Sequence, residues 1–147
     1  MKNIALIPLR GGSKGIPGKN LKMLNGSPLC SYAINAAFNA KHVDDVWVSS
    51  DDQEIIDYVK SDFPKVNIRI RPAELATDTA TTESVILDLI NSNQFNPTDQ
   101  LILIQATSPL VTSLDLDKAL IQLSESEKNS LLSGVEFKRF IWNNDGK

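Results

Sequence analysis

Residues 7–20 concentrate the groups that could do chemistry. They read Ile7-Pro8-Leu9-Arg10-Gly11-Gly12-Ser13-Lys14-Gly15-Ile16-Pro17-Gly18-Lys19-Asn20. Four glycines and two prolines forbid regular structure, while Arg10, Lys14 and Lys19 put three cations on a short piece of backbone. Glycine lets the chain turn tightly and approach a ligand closely, and its N–H groups can donate to phosphate oxygens. The stretch reads as a cradle for a polyphosphate. The alternative is a basic surface loop with no ligand.

Two common phosphate fingerprints fit it poorly. A Walker loop needs Gly, four residues, then Gly-Lys and a hydroxyl residue. Counting back from Gly18-Lys19, Ser13 occupies the first Gly position, and Asn20 stands where the hydroxyl belongs. The dinucleotide pattern Gly-x-Gly-x-x-Gly cannot be placed either, and Pro17 would break the helix such a loop feeds. A different phosphate-binding pattern is required.

The rest of the chain must position this loop. Its 147 residues suffice for one domain with a core, or for a piece of a larger one. Hydrophobic content of 41% and charged content of 22% fit a globular protein, and no apolar run approaches the roughly 20 residues of a membrane span. Met1 leads into a strand-like stretch without a small-residue cleavage site, so no signal peptide is expected. The lone Cys30 excludes an internal disulfide and a cysteine-rich metal site. A cytoplasmic protein is the simplest expectation. Net charge is −3, but residues 1–43 hold six basic and no acidic side chains. A basic segment in an otherwise acidic chain favours a small anion over a nucleic-acid duplex, which calls for a wide basic surface.

Residues 4–7 read as a buried strand before the loop. Asn25-Gly26 marks a turn. Residues 28–38 read as a helix with Ser27 as N-cap and Pro28 first, packing through Leu29, Tyr32 or Ala33, Ala36 and Ala37. Residues 45–50 form a strand, and the Asp51-Asp52 pair leads into a helix over 53–61. A short strand is expected at 67–71, a structured loop at 71–80, and a helix at 82–90. The aliphatic run 100–105 reads as the clearest buried strand. A helix follows at 115–124, then strands at 131–137 and 139–142 and a hairpin turn at 144–147. A chain ending inside a turn is expected to be a piece of a longer one. Strands alternating with helices predict an α/β fold with a largely parallel sheet, whose ligands bind beyond the carboxyl ends of the strands. That rule gathers residues 10–20, 49–52, 71–82 and 105–109.

Those segments, in order and register, resemble the acylneuraminate cytidylyltransferases, the CMP-sialic acid synthetases and relatives acting on other nonulosonic acids. The matching elements are residues 7–20, Val48-Ser49-Ser50-Asp51, residues 71–80 beginning Arg71-Pro72, and Gln105-Ala106-Thr107-Ser108-Pro109-Leu110. The loop differs from the Ser-Thr-Arg-Leu-Pro-Gly-Lys type of the related Kdo enzymes, so the sialic branch is closer. The resemblance implies a three-layer, Rossmann-like nucleotidyltransferase fold, with residues 1–147 an incomplete nucleotide-binding domain. It also implies nucleotidyl transfer: the anomeric hydroxyl of a nine-carbon acidic sugar attacks the α-phosphorus of CTP and pyrophosphate leaves. Arg10, Gly11, Gly12, Ser13, Lys14, Lys19 and Asn20 would hold the triphosphate, with Lys19 and Arg10 catalytic. Arg71 and Thr82 would serve the nucleoside, and Gln105 and Ser108 the sugar.

Each has a plainer alternative. Arg71 could pair on the surface with Glu74 or Asp78, Gln105 could satisfy backbone at a strand end, and Thr82 could be a helix cap. Asp51 and Asp52 are better read as caps than as ligands of metal or sugar. Cys30 reads as a core residue and His42 as a surface one. Two departures from the family stand out. Val111 occupies a position where the family usually has Arg. The aspartate pair that holds the family's catalytic Mg2+ is expected beyond Lys147, as is the segment that swaps across its homodimer. The chain by itself is therefore expected to have little synthetase activity. The competing readings are a non-catalytic nucleotide- or sugar-binding module from a truncated paralogue and, more distantly, a sugar-1-phosphate nucleotidyltransferase.

Overall fold

The computed structural model of the chain describes residues 1–92 and 95–136. Strand β1 (Asn3–Pro8) forms from the first aliphatic run, and its four central residues are buried, as in a strand covered on both faces. Strands β2 (Met23–Leu24) and β3 (Ser27–Pro28) make a small hairpin whose turn residues Asn25 and Gly26 have φ of 47° and 87°. Asn and Gly are the residues that tolerate this left-handed backbone. Helix α1 (Leu29–Asn39) follows directly, with Pro28 at its N-cap position and no capping side chain. The expected Ser27 cap is not formed, because Met23 pairs with Pro28 and Leu24 with Ser27. The buried face of α1 also differs from expectation. It is Cys30, Ser31, Ala33, Ile34, Ala36 and Ala37, while Leu29 and Tyr32 are half-buried. The Tyr32 hydroxyl is drawn off to donate to the Leu24 carbonyl of the hairpin.

Strand β4 (Asp45–Ser50) leads into helix α2 (Gln53–Asp62), and Asp52 caps it by accepting the N–H groups of Glu54 and Ile55 at 2.9 and 3.2 Å. Strand β5 (Asn67–Ile70) ends before an irregular segment holding one 3-10 turn, Ala73–Leu75. Helix α3 (Thr82–Ser92), strand β6 (Gln100–Leu103) and helix α4 (Ser113–Ser124) complete the described elements. Helix α4 begins two residues earlier than expected, because Thr112 and Asp115 form a reciprocal capping box.

The sheet has the order β5-β4-β1-β6, and every pair is parallel. Ala5, Ile7 and Leu9 share a core with Cys30, Ala33, Ile34 and Ala37 of α1, Ile55 and Val59 of α2, and Leu116 of α4. Ile4 and Leu6 alternate with them, point to the opposite face and are equally buried, and α3 packs against β1. Helices thus cover both faces of a parallel sheet, the expected three-layer α/β/α architecture. The direction of strand addition reverses at β1, which places the loops after β1 and β6 side by side at a switch point.

Two expectations are corrected. The aliphatic run 100–105 forms a shorter strand that is only half-buried, with Leu103 39% exposed. Among the described residues β6 pairs on one side alone, so its other edge stays open. Residues 131–136 form no strand, and Leu132 and Val135 are exposed, because apolar residues without a neighbouring strand cannot make a ladder. The remaining expectations, residue 137, the strand at 139–142 and the turn at 144–147, lie outside the described residues. Among those described, no helix is long and apolar enough to cross a membrane.

Candidate functional site

The loop after β1 is pinned before it is free to bind anything. Leu9 is fully buried and extends the sheet by donating its N–H to the Ser49 carbonyl at 2.8 Å. Asn20, 6% exposed, donates its side-chain N–H to the Arg10 carbonyl at 2.9 Å, closing the loop on itself. The Asp51 carboxylate accepts the Gly11 N–H at 3.1 Å, and the Ser13 N–H donates to the Gly11 carbonyl at 2.8 Å. Gly11 packs so tightly that an added Cβ would lie 2.3 Å from Asp52 Oδ2 and 2.8 Å from Asp52 Cβ. Gly18, with φ of 62°, takes the left-handed conformation that starts the 3-10 turn Lys19–Leu21. Two of the backbone donors expected for phosphate, on Gly11 and Ser13, are therefore engaged inside the protein. Gly12 differs: a Cβ there would meet no atom within 4 Å.

The end of β5 supplies the second wall. Arg71 is only 6% exposed, and its Nε and Nη2 donate to Ser49 Oγ and the Ser49 carbonyl at 3.2 and 2.8 Å. Neither Glu74 nor Asp78 pairs with it, which removes the surface-pair alternative. Burial pushes its pKa down, Asp51 opposes that, and the nearby Arg10 charge adds to it. A buried cation whose hydrogen-bond partners are neutral is poised for an anionic or carbonyl ligand. Asp78, in the following segment, instead meets the loop: Arg10 Nη1 donates to its Oδ1 at 3.0 Å, and Lys14 Nζ lies 2.5 Å from its Oδ2. The Lys14 ammonium first, opposed by burial and supported by the Arg10 guanidinium, holds the Asp78 carboxyl below the usual carboxylate range.

At the start of α3, the Thr81 hydroxyl accepts the Ser84 N–H at 3.1 Å and so performs the capping role considered for Thr82. Gln105 follows β6 and is exposed; its backbone carbonyl accepts the Ser108 N–H at 3.0 Å in a tight turn.

These elements enclose a cavity of about 280 Å³ at the carboxyl ends of the strands. Arg10, Ser13, Lys19, Asn20, Arg71, Thr82 and Gln105 all line it, from residues 10–20, 71–82 and 105–109. Gly11 lines a neighbouring cavity of about 290 Å³ between the loop and α2. Gly12, Lys14 and Ser108 line neither. Thr77, Asp78, Ala80 and Thr81 also face the first cavity and were not singled out from sequence, although they fall within or beside the matching segment 71–80. Val111 packs against the core and lines a third cavity with Ser31 and Tyr32.

The described residues do not fit a magnesium site. No three His, Cys, Asp or Glu among them are placed to hold a metal. The nearest carboxylates are committed, Asp78 to Arg10 and Lys14, Asp51 to the Gly11 N–H, and Asp52 to the α2 cap.

A parallel α/β sheet with a basic loop at its switch point is the arrangement in which ligands bind beyond the carboxyl ends of the strands. The family model for cytidylyltransferases matches residues 4–139, and the chain belongs to that family. It is 36% identical over 141 residues to a pseudaminic acid cytidylyltransferase of Campylobacter jejuni subsp. jejuni serotype O:2, covering 94% of this chain and 60% of that one. It is also 36% identical over 138 residues to the N-acylneuraminate cytidylyltransferase of Oncorhynchus mykiss, covering 94% of this chain and 31% of that protein. The chain thus spans between about a third and three-fifths of these curated relatives. Among solved structures, a CMP:2-keto-3-deoxy-manno-octonic acid synthetase complexed with CTP matches with a TM-score of 0.71 at 21% identity, over 85% of this chain and 48% of that one. A 4-diphosphocytidyl-2C-methyl-D-erythritol synthase matches with a TM-score of 0.66 at 21% identity, over 85% and 55% of the two chains. At that identity these two likenesses speak to the fold.

Proposed function

We propose that this chain is the nucleotide-binding part of an enzyme that transfers CMP from CTP to the anomeric hydroxyl of a nine-carbon acidic sugar, N-acetylneuraminate or a related nonulosonic acid. The observation that carries this reading is the convergence of Arg10, Ser13, Lys19, Asn20, Arg71, Thr82 and Gln105 on one cavity. The relatives named for pseudaminic and N-acylneuraminic acids support the sugar class.

In the proposed reaction the sugar oxygen bonds to the α-phosphorus, the bond to the β-phosphate bridging oxygen breaks, and pyrophosphate leaves. Negative charge gathers on the phosphate oxygens, so positioned cations lower the barrier most. Lys19 is half-buried, lines the cavity and has no ion-pair partner among the described residues, which suits the main transition-state cation. Arg10 and Lys14 hold the outer phosphates. Arg71, fixed by Ser49, offers its remaining N–H groups to the base or ribose, with Thr82 beside it. Gln105 faces the sugar side, and Ser108 supports that turn from outside the cavity. Gly12 lets phosphate approach the backbone. A cytoplasmic homodimer requiring Mg2+ is the form proposed for the longer protein, with the metal ligands and the dimer-swapped segment beyond Lys147. The steps assigned to this chain are those of its own cations.

Calorimetric titration with CTP tests the reading. Binding of CTP in preference to the other nucleoside triphosphates, abolished in Arg71→Ala, is expected; equal affinity for all four would count against it. The engagement of Asp51, Asp52 and Asp78 in contacts within the protein favours a second reading, binding without turnover. CMP-sugar formation by a chain extended past Lys147, but not by this one, supports the first; persistent inactivity of the extended chain supports the second.

A further inference from the structure

The inference concerns Asp78 and rests on the reading of Arg10 and Lys14 as triphosphate ligands. The two oxygens of its carboxylate are divided between two cations of the β1 loop, Oδ1 at 3.0 Å from Arg10 Nη1 and Oδ2 at 2.5 Å from Lys14 Nζ. The same Arg10 nitrogen makes a longer bond of 3.4 Å to the Thr77 carbonyl. A planar, two-oxygen anion already sits between these cations, which is how a phosphate group would engage them.

The contact is built to be exchanged. The side chains of Arg10, Asp78 and Lys14 are 38%, 42% and 79% exposed, and ion pairs in water hold weakly. Asp78 sits between the Ala73–Leu75 turn and α3, in a stretch tied locally by the Ala80 N–H to the Thr77 carbonyl at 3.3 Å. Around it the charge is of one sign. Lys19 and Arg71 line the same cavity, and Arg10 already disfavours charge on Arg71. Asp51 offsets this repulsion at Arg71, and the Asp78 carboxylate offsets it at Arg10 and Lys14.

We propose that Asp78 is a placeholder: it occupies Arg10 and Lys14 in the free protein and must be displaced by incoming phosphates, which lowers the affinity of every ligand and leaves weakly held ones unbound. A nucleoside monophosphate, with roughly −1.5 to −2 of charge, meets the same displacement cost as a triphosphate but engages fewer of the remaining cations. A triphosphate brings enough charge to replace the carboxylate and engage Lys19 as well. The contact therefore turns away monophosphates without any steric barrier.

The test titrates CTP and CMP into the whole chain and its Asp78→Asn variant, with the melting temperature of each unliganded protein. Asp78→Asn should bind CTP about three- to tenfold tighter, the range expected for releasing exposed ion pairs, and CMP by no larger a factor, since both ligands displace the same carboxylate. Its unliganded melting temperature should fall. A merely structural role would lower stability and affinity together. Asp78→Ser, if the Asn variant misfolds, must show the same opposed changes. Unchanged or weaker CTP binding in a folded variant overturns the proposal, and a larger gain for CMP than for CTP overturns displacement of a shared carboxylate. Lys14→Gln separates the two readings. If it weakens CTP binding while Asp78→Asn fails to strengthen it, the placeholder is wrong and the phosphate site stands. If Lys14→Gln leaves CTP binding unchanged, the assignment of the cations is wrong and the placeholder goes with it.

Discussion

Arg69 on β5 and Arg10 after β1 each donate to an aspartate, with very different consequences. Arg69 uses two nitrogens, Nε and Nη2, to reach both oxygens of Asp88 at 2.8 and 2.7 Å. Its side chain is 29% exposed and that of Asp88 12%. Arg10 reaches Asp78 through one nitrogen, and both partners are more than a third exposed. A fork held away from water is rigid and resists exchange, whereas a single bond in water competes with every passing anion. The first contact ties α3 to β5, and Arg71 and Thr82 from these two regions line the same cavity. The second leaves its cations available. The same pair of residue types thus builds a wall of the cavity in one place and a removable occupant in the other.

The comparison breaks if the two aspartates prove equivalent. Asp88→Ala should reduce stability to urea by about 2–3 kcal/mol, because a charged, bidentate, mostly buried contact is lost and Arg69 is left without it. Asp78→Ala should lower the midpoint only slightly, as expected for exposed ion pairs. The acid limb sharpens the point. Hydrogen bonds from Arg69 hold the Asp88 carboxyl below its usual range, with burial opposing. A depressed folded-state pKa contributes stability that is present above the usual carboxylate range of about pH 4 and lost as pH falls through the depressed value. Stability of the wild type should therefore fall more steeply below about pH 4 than that of Asp88→Ala. Parallel pH profiles of the two melting temperatures would remove the distinction.

The loop offers the same contrast in glycines. Gly11→Ala drives a methyl group into Asp52, which cannot yield without surrendering the α2 cap, so a loss of about 1–3 kcal/mol is expected in thermal or urea unfolding. Gly12→Ala meets open space and should change stability by less than about 0.5 kcal/mol, while weakening CTP in titration. Destabilisation of equal size at both positions would show that the loop is not divided into a packed and an open half.

The smallest effect is expected at Cys30. It is fully buried, and burial pushes its thiol up to about 11. Disulfide reagents at pH 8 should leave it unlabelled until the domain opens, so labelling should follow the unfolding rate. Rapid labelling of the native protein would place it at a surface.

Much of the fold was legible because its signals are local. Residues 45–50 alternate and end in a helix-capping Asp52, and the observed strand and cap coincide with that reading. Asn25-Gly26 announced its turn for the same reason. Ser27 misled because its role depends on pairing with Leu24, and a plausible cap was drawn into a strand. The aliphatic run beginning at Gln100 looked fully buried because composition records the wish to be covered and not the presence of a neighbour. At the site, the segments were legible, but the division of labour within them was not. Thr81 and Thr82 are equivalent as residue types, and the start of α3 decides that Thr81 caps the helix while both line the cavity.

The sequence by itself determined the α/β order, the three cations of the β1 loop and the four segments that had to meet, since strand periodicity and loop chemistry are written in neighbouring residues. Tertiary structure alone decided that Arg71 is buried on Ser49 and that Asp78 crosses 68 residues of chain to sit on Arg10. Burial and the sign of nearby charge are sums over the whole fold, and no short stretch of sequence contains them.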